Sequence, residues 1–209
     1  RAQACITRIN EVLDTVPDIQ DSHRAGEALQ AAEKPDSSGG STVEFRNVSF
    51  KYSRTGSGEE VLKNLNFKLE PGEIVAIVGG TGSGKSSLVN LIPRFYDVTA
   101  GQVLVDGIDV RDYKITELRK KIGMVLQKNV LFSGTIRDNI RWGKEDATDE
   151  EIIEALKIAQ AYDFVMSFPE GLDTQLHQGG TNVSGGQRQR LCLARAILKK
   201  TSVLILDDS

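Results

Sequence analysis

The chain opens on apolar residues at three- and four-residue steps, Ala2, Ile6, Ile9, Leu13 and Val16, with Arg8, Asn10, Glu11 and Asp14 off that stripe. The spacing predicts an amphipathic helix over 1–16, stopped by Pro17. Residues 18–41 are polar and close on Lys34-Pro35-Asp36-Ser37-Ser38-Gly39-Gly40-Ser41, a linker composition, so no partner for the stripe is legible nearby. From Thr42 the period changes to two. Val43 and Phe45, then Val48, Phe50 and Tyr52 after a one-residue slip at Arg46-Asn47, then Leu65, Phe67 and Leu69 before Pro71-Gly72, read as antiparallel strands. A hairpin-like connection is expected around Thr55-Gly56-Ser57-Gly58. Val103 and Val105, the turn Asp106-Gly107, and Ile108 and Val110 predict another hairpin.

Three apolar runs carry no helical period. Residues 74–78 and 203–206 read as buried strands, and residues 122–126 as a further short strand with Gln127 at its end. Residues 148–168 read as one helix: Thr148 and Glu151 suit a capping box, and Ile152, Ala155, Leu156, Ala159 and Phe164 share a face. Pro169-Glu170-Gly171 stops it. A last helix with Leu191, Ala194, Arg195 and Leu198 precedes the 203–206 strand. No internal repeat appears.

At 209 residues the chain can bury a core of one domain or slightly more. A net charge of -3 supplies no global basic field, so charge does not indicate a nucleic-acid partner. Cys5 and Cys192 are far apart and sit among apolar helical residues, which reads as two reduced, buried thiols. No apolar run approaches the roughly 18 residues of a membrane helix, and no signal-peptide pattern opens the chain, so the expectation is a soluble chain.

The candidate chemistry centres on Gly79-Gly80-Thr81-Gly82-Ser83-Gly84-Lys85-Ser86, which fits the P-loop pattern G-x-x-x-x-G-K-[ST] between the 74–78 run and a helical stretch from Ser87 to Ile92. Phosphate oxygens must be met by converging backbone N–H groups, and only a glycine-rich turn brings these close without Cβ clashes. The helix start adds its positive dipole end. Lys85 would then reach the β- and γ-phosphates, and the Ser86 hydroxyl would take one position on Mg²⁺. Far downstream, the 203–206 strand ends in Asp207, which puts a carboxylate at the same sheet edge as a Mg²⁺ partner through water. Asp208 follows, where a residue could orient or deprotonate the attacking water. Ser184-Gly185-Gly186-Gln187 is a second anion-binding turn at a helix start, with a plain helix cap as its rival.

In this order, the P-loop, Gln127, Val183-Ser184-Gly185-Gly186-Gln187 and Leu204-Ile205-Leu206-Asp207-Asp208 resemble the nucleotide-binding domain of an ABC transporter over about residues 42–209. The resemblance implies an α/β P-loop NTPase fold with a RecA-like, mainly parallel core sheet, an antiparallel β-subdomain, and a helical signature subdomain spanning about 128–190. It further implies ATP and Mg²⁺ as ligands. ATP would be held by Tyr52 stacking on adenine, by residues 79–86 with Ser87, and by Gln127, which would bind Mg²⁺ and sense the membrane domain. Ser184 to Gln187 would contact the γ-phosphate of ATP held by a second nucleotide-binding domain. Lys85, Asp208 and Gln127 are the expected catalytic residues, and Ser86, Gln127 and Asp207 the expected metal ligands.

Leu131-Phe132-Ser133-Gly134-Thr135-Ile136-Arg137-Asp138-Asn139-Ile140 is similar to the exporter type. Arg8-Ile9-Asn10-Glu11-Val12-Leu13-Asp14 resembles the segment joining the last membrane helix of an exporter to its ATPase domain. Residues 1–41 are then expected to be a connection from a membrane domain lying outside this chain. Residues 42–209 would be an ATPase domain cut after the 203–206 strand, at the cytoplasmic face of the plasma (inner) membrane of a half-transporter for a drug-like small molecule. Two departures qualify the resemblance. Asp208 stands where a glutamate base is usual, and Gln178 where an acidic residue is frequent, which resembles the impaired half of a heterodimeric exporter. The resemblance also implies a switch histidine beyond the 203–206 strand; His23 lies before the domain and His177 ahead of the Ser184 to Gln187 turn, so neither is that residue. A soluble ABC ATPase of DNA repair would need a long coiled-coil insertion, and residues 128–182 hold no heptad run.

Overall fold

A computed structural model describes residues 2–21, 40–52 and 59–207, with side chains from Ile6 onward. Helix α1 spans Ala2–Leu13. It ends three residues short of the sequence expectation, because Val16 precedes proline and is pushed out of the helical region, while Thr15 bonds back to Glu11. Ile6, Ile9, Val12, Leu13 and Val16 are all exposed, so the apolar face has no cover among the described residues.

Two hydrophobic clusters follow. The first is built on β1 (Val43–Phe50), β2 (Leu62–Leu69), β3 (Ala100–Val105) and β4 (Ile108–Asp109), an antiparallel sheet in the order β2-β1-β3-β4. The slip at Arg46-Asn47 is a bulge. The register shifts between Phe45 and Val48, with Asn47 at φ 50°. Gly101 lies opposite this bulge at φ 79°, where a Cβ would overlap the Arg46 and Asn47 carbonyls. Asp106-Gly107, both at positive φ, close the β3–β4 hairpin. Val110 leaves the strand for a short 3-10 turn, because the Asp109 carboxylate accepts the Arg111 N–H. Tyr113 is fully buried beneath the sheet and donates to the Val105 carbonyl; burial pushes its phenol pKa up.

Helix α2 (Lys85–Leu91) packs Leu88 and Leu91 into the same cluster. Helix α3 (Ile115–Lys121) has no cap from its own N-cap residue, and the Asp21 carboxylate accepts the Ile115 N–H instead. It leads into β5 (Ile122–Val125), which pairs in parallel with β8 (Val203–Leu206).

The second cluster is helical. Helices α4 (Ile136–Arg141), α5 (Asp149–Ile158) and α6 (Tyr162–Ser167) surround α7 (Gly185–Leu198), with the short pair β6 (Gly134–Thr135) and β7 (Gln175–Leu176) at one side. The single helix expected over 148–168 is two. Gln160 sits at φ 54°, its N–H bonds to Lys157, and the Ala161 N–H reaches the Leu156 carbonyl. These bonds form a Schellman stop, which ends α5 despite the unbroken apolar period.

Residues 74–78, expected as a buried strand, form none. Ile74 is 101% and Val78 93% exposed, and no strand pairs with the run among the described residues. An apolar run supplies the side chains of a core strand but not its hydrogen-bonding neighbours, and a strand exists only as part of a ladder. The hairpin connection at 55–58 and Asp208 lie outside the described residues, as does the side chain of Cys5. Cys192 is free and buried, with its thiol pKa raised by that burial.

Candidate phosphate-binding site

Residues 79–84 form an irregular loop that ends in α2. Gly82 and Gly84 hold φ of 78° and 88°, conformations costly for other residues. A Cβ on Gly84 would press into the Leu62 and Val61 side chains, so glycine there lets the loop lie directly on β2. Lys85 folds back over the loop and donates to the Gly79 and Gly80 carbonyls at 2.8 and 3.0 Å. Its ammonium is thus held over the turn whose N–H groups the sequence marks as a phosphate cradle.

Ser86 and Asp207 meet directly, the hydroxyl donating to a carboxylate oxygen at 3.1 Å. Asp207 is fixed by its own N–H, which donates to the Val125 carbonyl and carries the β5–β8 ladder one residue further. Gln127, two residues beyond Val125, is exposed at this same end of the parallel pair. A hydroxyl and a carboxylate are hard oxygen donors, and two of them suit Mg²⁺, which keeps several waters and takes the rest of its ligands from phosphate. No cluster of three His, Cys, Asp or Glu side chains suited to a metal occurs among the described residues.

Tyr52 shares a 2.7 Å hydrogen bond with Ser87, the residue after Ser86. The structure therefore brings together Tyr52, Lys85, Ser86, Ser87 and Asp207 from three distant stretches of chain. Ser184 to Gln187 lies apart from them, on the helical cluster. There Ser184 accepts the Gln187 N–H, and the Gln187 side chain accepts the Ser184 N–H, a complete capping box. The rival reading of a helix cap is thus real. It leaves the Gly185 and Gly186 positions facing open space, so the turn is both a cap and an accessible patch of backbone.

Sequence reasoning missed the bracing between the Gln127 loop and α7. Asn139, 1% exposed, donates to the Phe132 and Thr135 carbonyls and accepts the Phe132 N–H. Arg195 of α7 donates to the Asn139 carbonyl and side chain and to the Val130 carbonyl, and its guanidinium lies over the Phe132 ring. Burial lowers the Arg195 pKa from its ordinary value. Phe132 in turn stacks on Trp142 at 4.4 Å, beside a cavity of about 330 Å³ lined by Leu126, Lys128 and Cys192. The one hint in the sequence was an arginine among the apolar positions of α7, one turn from Leu191 and Leu198.

A P-loop with its lysine and serine in place, a parallel pair ending in an aspartate beside that serine, an antiparallel β-layer and a helical layer define a P-loop NTPase fold. The ABC transporter family model matches residues 62–209, and the chain belongs to that family. It is 48% identical over 97% of its length to an ATP-dependent lipid A-core flippase of Syntrophus aciditrophicus, covering 32% of that protein. It is 55% identical over 80% of its length to the putative multidrug export ATP-binding/permease protein YgaD of Bacillus subtilis, covering 28% of it. The structure of a bacterial Atm1-family ABC exporter with ATP bound superposes with a TM-score of 0.87 at 35% identity, covering 97% of this chain and 34% of that one. The chain thus spans about a third of the length of the relatives it matches. No helix among the described residues is long and apolar enough to cross a membrane.

Proposed function

We propose that the chain is the ATP-binding and ATP-hydrolysing motor of an ABC exporter. The observation that carries this reading is the meeting of Ser86 and Asp207 beside the Lys85-capped loop. ATP would lie with its triphosphate along residues 79–87 and its adenine on Tyr52. Lys85 would exchange its two carbonyl partners for β- and γ-phosphate oxygens, cancelling charge that builds in the transition state. Ser86, Asp207 and Gln127 would hold Mg²⁺, which when bound would neutralise charge on the phosphates. Asp208 would orient or deprotonate the attacking water.

The turn Ser184 to Gln187 would serve a second nucleotide-binding domain, meeting the γ-phosphate bound at that partner's P-loop. ATP then closes the pair because it binds the closed state more tightly, and hydrolysis with release reopens it. Residues 1–41 are read as the connection to a membrane domain, residues 42–209 as the ATPase domain, and about 128–190 as its helical subdomain. The Gln127 loop, carrying the exposed Phe132–Trp142 pair, would face the membrane domain. The working location is the cytoplasmic face of the plasma membrane. The cargo is a small molecule, with drug-like and lipid cargoes both represented among the relatives' names.

A second reading is favoured by one residue. Asp208 is a methylene shorter than the glutamate expected of a general base, and a base that cannot reach its water forfeits on the order of 10²–10⁴ in rate. Together with Gln178 it supports a clamp that holds ATP while the site of a different partner half turns over. ATP turnover by the full-length protein in lipid vesicles, alone and with its partner half, separates the two. In the motor reading, Lys85→Ala and Asp208→Asn both abolish turnover by the protein alone. In the clamp reading, turnover needs the partner, ignores Asp208→Asn, and rises with Asp208→Glu. Wild-type turnover that survives Lys85→Ala in both settings overturns both readings.

A further inference from the structure

Tyr52 lies two residues beyond the end of β1. Its neighbour Lys51 donates its N–H to the Thr99 hydroxyl, and beyond that β1 has ended. The Tyr52 ring is fixed by side chains from three directions. Phe50 of β1 meets it at 4.9 Å in an edge arrangement, the Ser87 hydroxyl of α2 bonds its phenol, and Tyr96 meets it at 5.2 Å with the ring planes at 89°. Tyr96 also lies 5.7 Å from Phe50, so the three rings touch pairwise. Edge-to-face contacts of this kind are attractive and directional, and they hold a ring at an angle as well as in place.

Tyr96 is able to act as a prop because its own segment is rigid. Arg94, 5% exposed, bonds Asp97 at 2.8 Å across it, and the Phe95 N–H returns to the Asn90 carbonyl of α2. Arg119 of α3 donates to the Pro93 and Arg94 carbonyls and lies over the Phe95 ring. Tyr96 therefore hangs from the same helix whose first turn carries Lys85, Ser86 and Ser87. Tyr52 remains 55% exposed, which leaves ring surface for a planar base.

We propose that Tyr96 is a positioning residue for base recognition: it sets the angle of the Tyr52 ring and ties that ring to α2, so that the base platform and the phosphate loop keep one fixed spacing. This rests on the reading that Tyr52 stacks on the base. Loss of Tyr96 would then weaken the base contribution, because the bonds that hold Lys85 to the Gly79 and Gly80 carbonyls and Ser86 to Asp207 do not involve it.

The test is equilibrium binding of ATP and of inorganic tripolyphosphate, each with Mg²⁺, to the full-length protein and its variants. Tyr96→Ala is expected to weaken ATP about three- to tenfold and to leave tripolyphosphate unchanged, with Tyr96→Phe like wild type. In a Tyr52→Ala background, Tyr96→Ala should have no further effect. If Tyr52→Ala weakens ATP but Tyr96→Ala does not, the positioning role is wrong and the stacking reading stands. If Tyr52→Ala leaves ATP binding unchanged, the stacking reading fails and this inference fails with it. Equal loss of ATP and tripolyphosphate binding in Tyr96→Ala would make Tyr96 a support of the fold and overturn the proposal.

Discussion

Ser86 and Asp207 stand 121 residues apart in the chain, yet the serine hydroxyl donates to the aspartate carboxylate at 3.1 Å. One sits at the start of α2 and the other one residue past β8, so the contact joins the antiparallel cluster to the parallel pair. A hydroxyl–carboxylate pair in reach of solvent keeps lone pairs free for a cation.

Asp207→Asn keeps an oxygen acceptor for Ser86 and removes the charge. The Mg²⁺-dependent part of ATP affinity should fall on the order of 10–100-fold, while ATP affinity in chelator stays at the wild-type value. Titrating Mg²⁺ at fixed nucleotide measures both.

Arg195→Ala should cost about 2 kcal/mol or more, because it takes the side-chain donor from the Asn139 carbonyl, leaves the Val130 carbonyl only the weak Cys192 thiol, and strips the Phe132 ring of its cation. Urea unfolding would show a lower midpoint. The chain's one tryptophan, Trp142, stacks on Phe132, so its emission should change in the folded variant too.

Gly101→Ala should cost about 3 kcal/mol or more. Alanine would be forced into a positive φ and driven against the carbonyls of the β1 bulge. A fall in denaturant midpoint without a change in slope is the expected signature.

Two capping boxes predict an acid limb. The Asp138 pKa is lowered by its hydrogen bonds with Thr135, and that of Glu151 by Lys144 first and the Thr148 N–H second. A carboxylate with a folded pKa below its unfolded one contributes stability that is complete above the unfolded value, near pH 4. That contribution is lost as the pH falls through the folded value. The unfolding midpoint should therefore drop below about pH 4, and less steeply in an Asp138→Asn, Glu151→Gln protein.

Local rules were legible wherever one stretch of chain decides its own geometry. The period-two runs of β1 and β3, the Asp106-Gly107 turn and the Thr148–Glu151 box all formed as their residues require. The glycine-rich loop with its lysine and the aspartate ending an apolar strand were legible as chemistry for the same reason. The stop at Gln160 was not, because a Schellman turn on a non-glycine residue leaves no mark in the apolar period.

The sequence by itself determined the P-loop, the order of the motifs and the antiparallel pattern, because each depends on residues a few positions apart. Tertiary structure alone decided which distant groups meet: Ser86 with Asp207, Arg195 with Asn139, Tyr96 with Tyr52, Asp21 with the start of α3. It also decided that residues 74–78 remain uncovered, since burial and strand pairing are properties of neighbours. Side-chain chemistry is written locally, but partners are chosen by the packing of the whole chain.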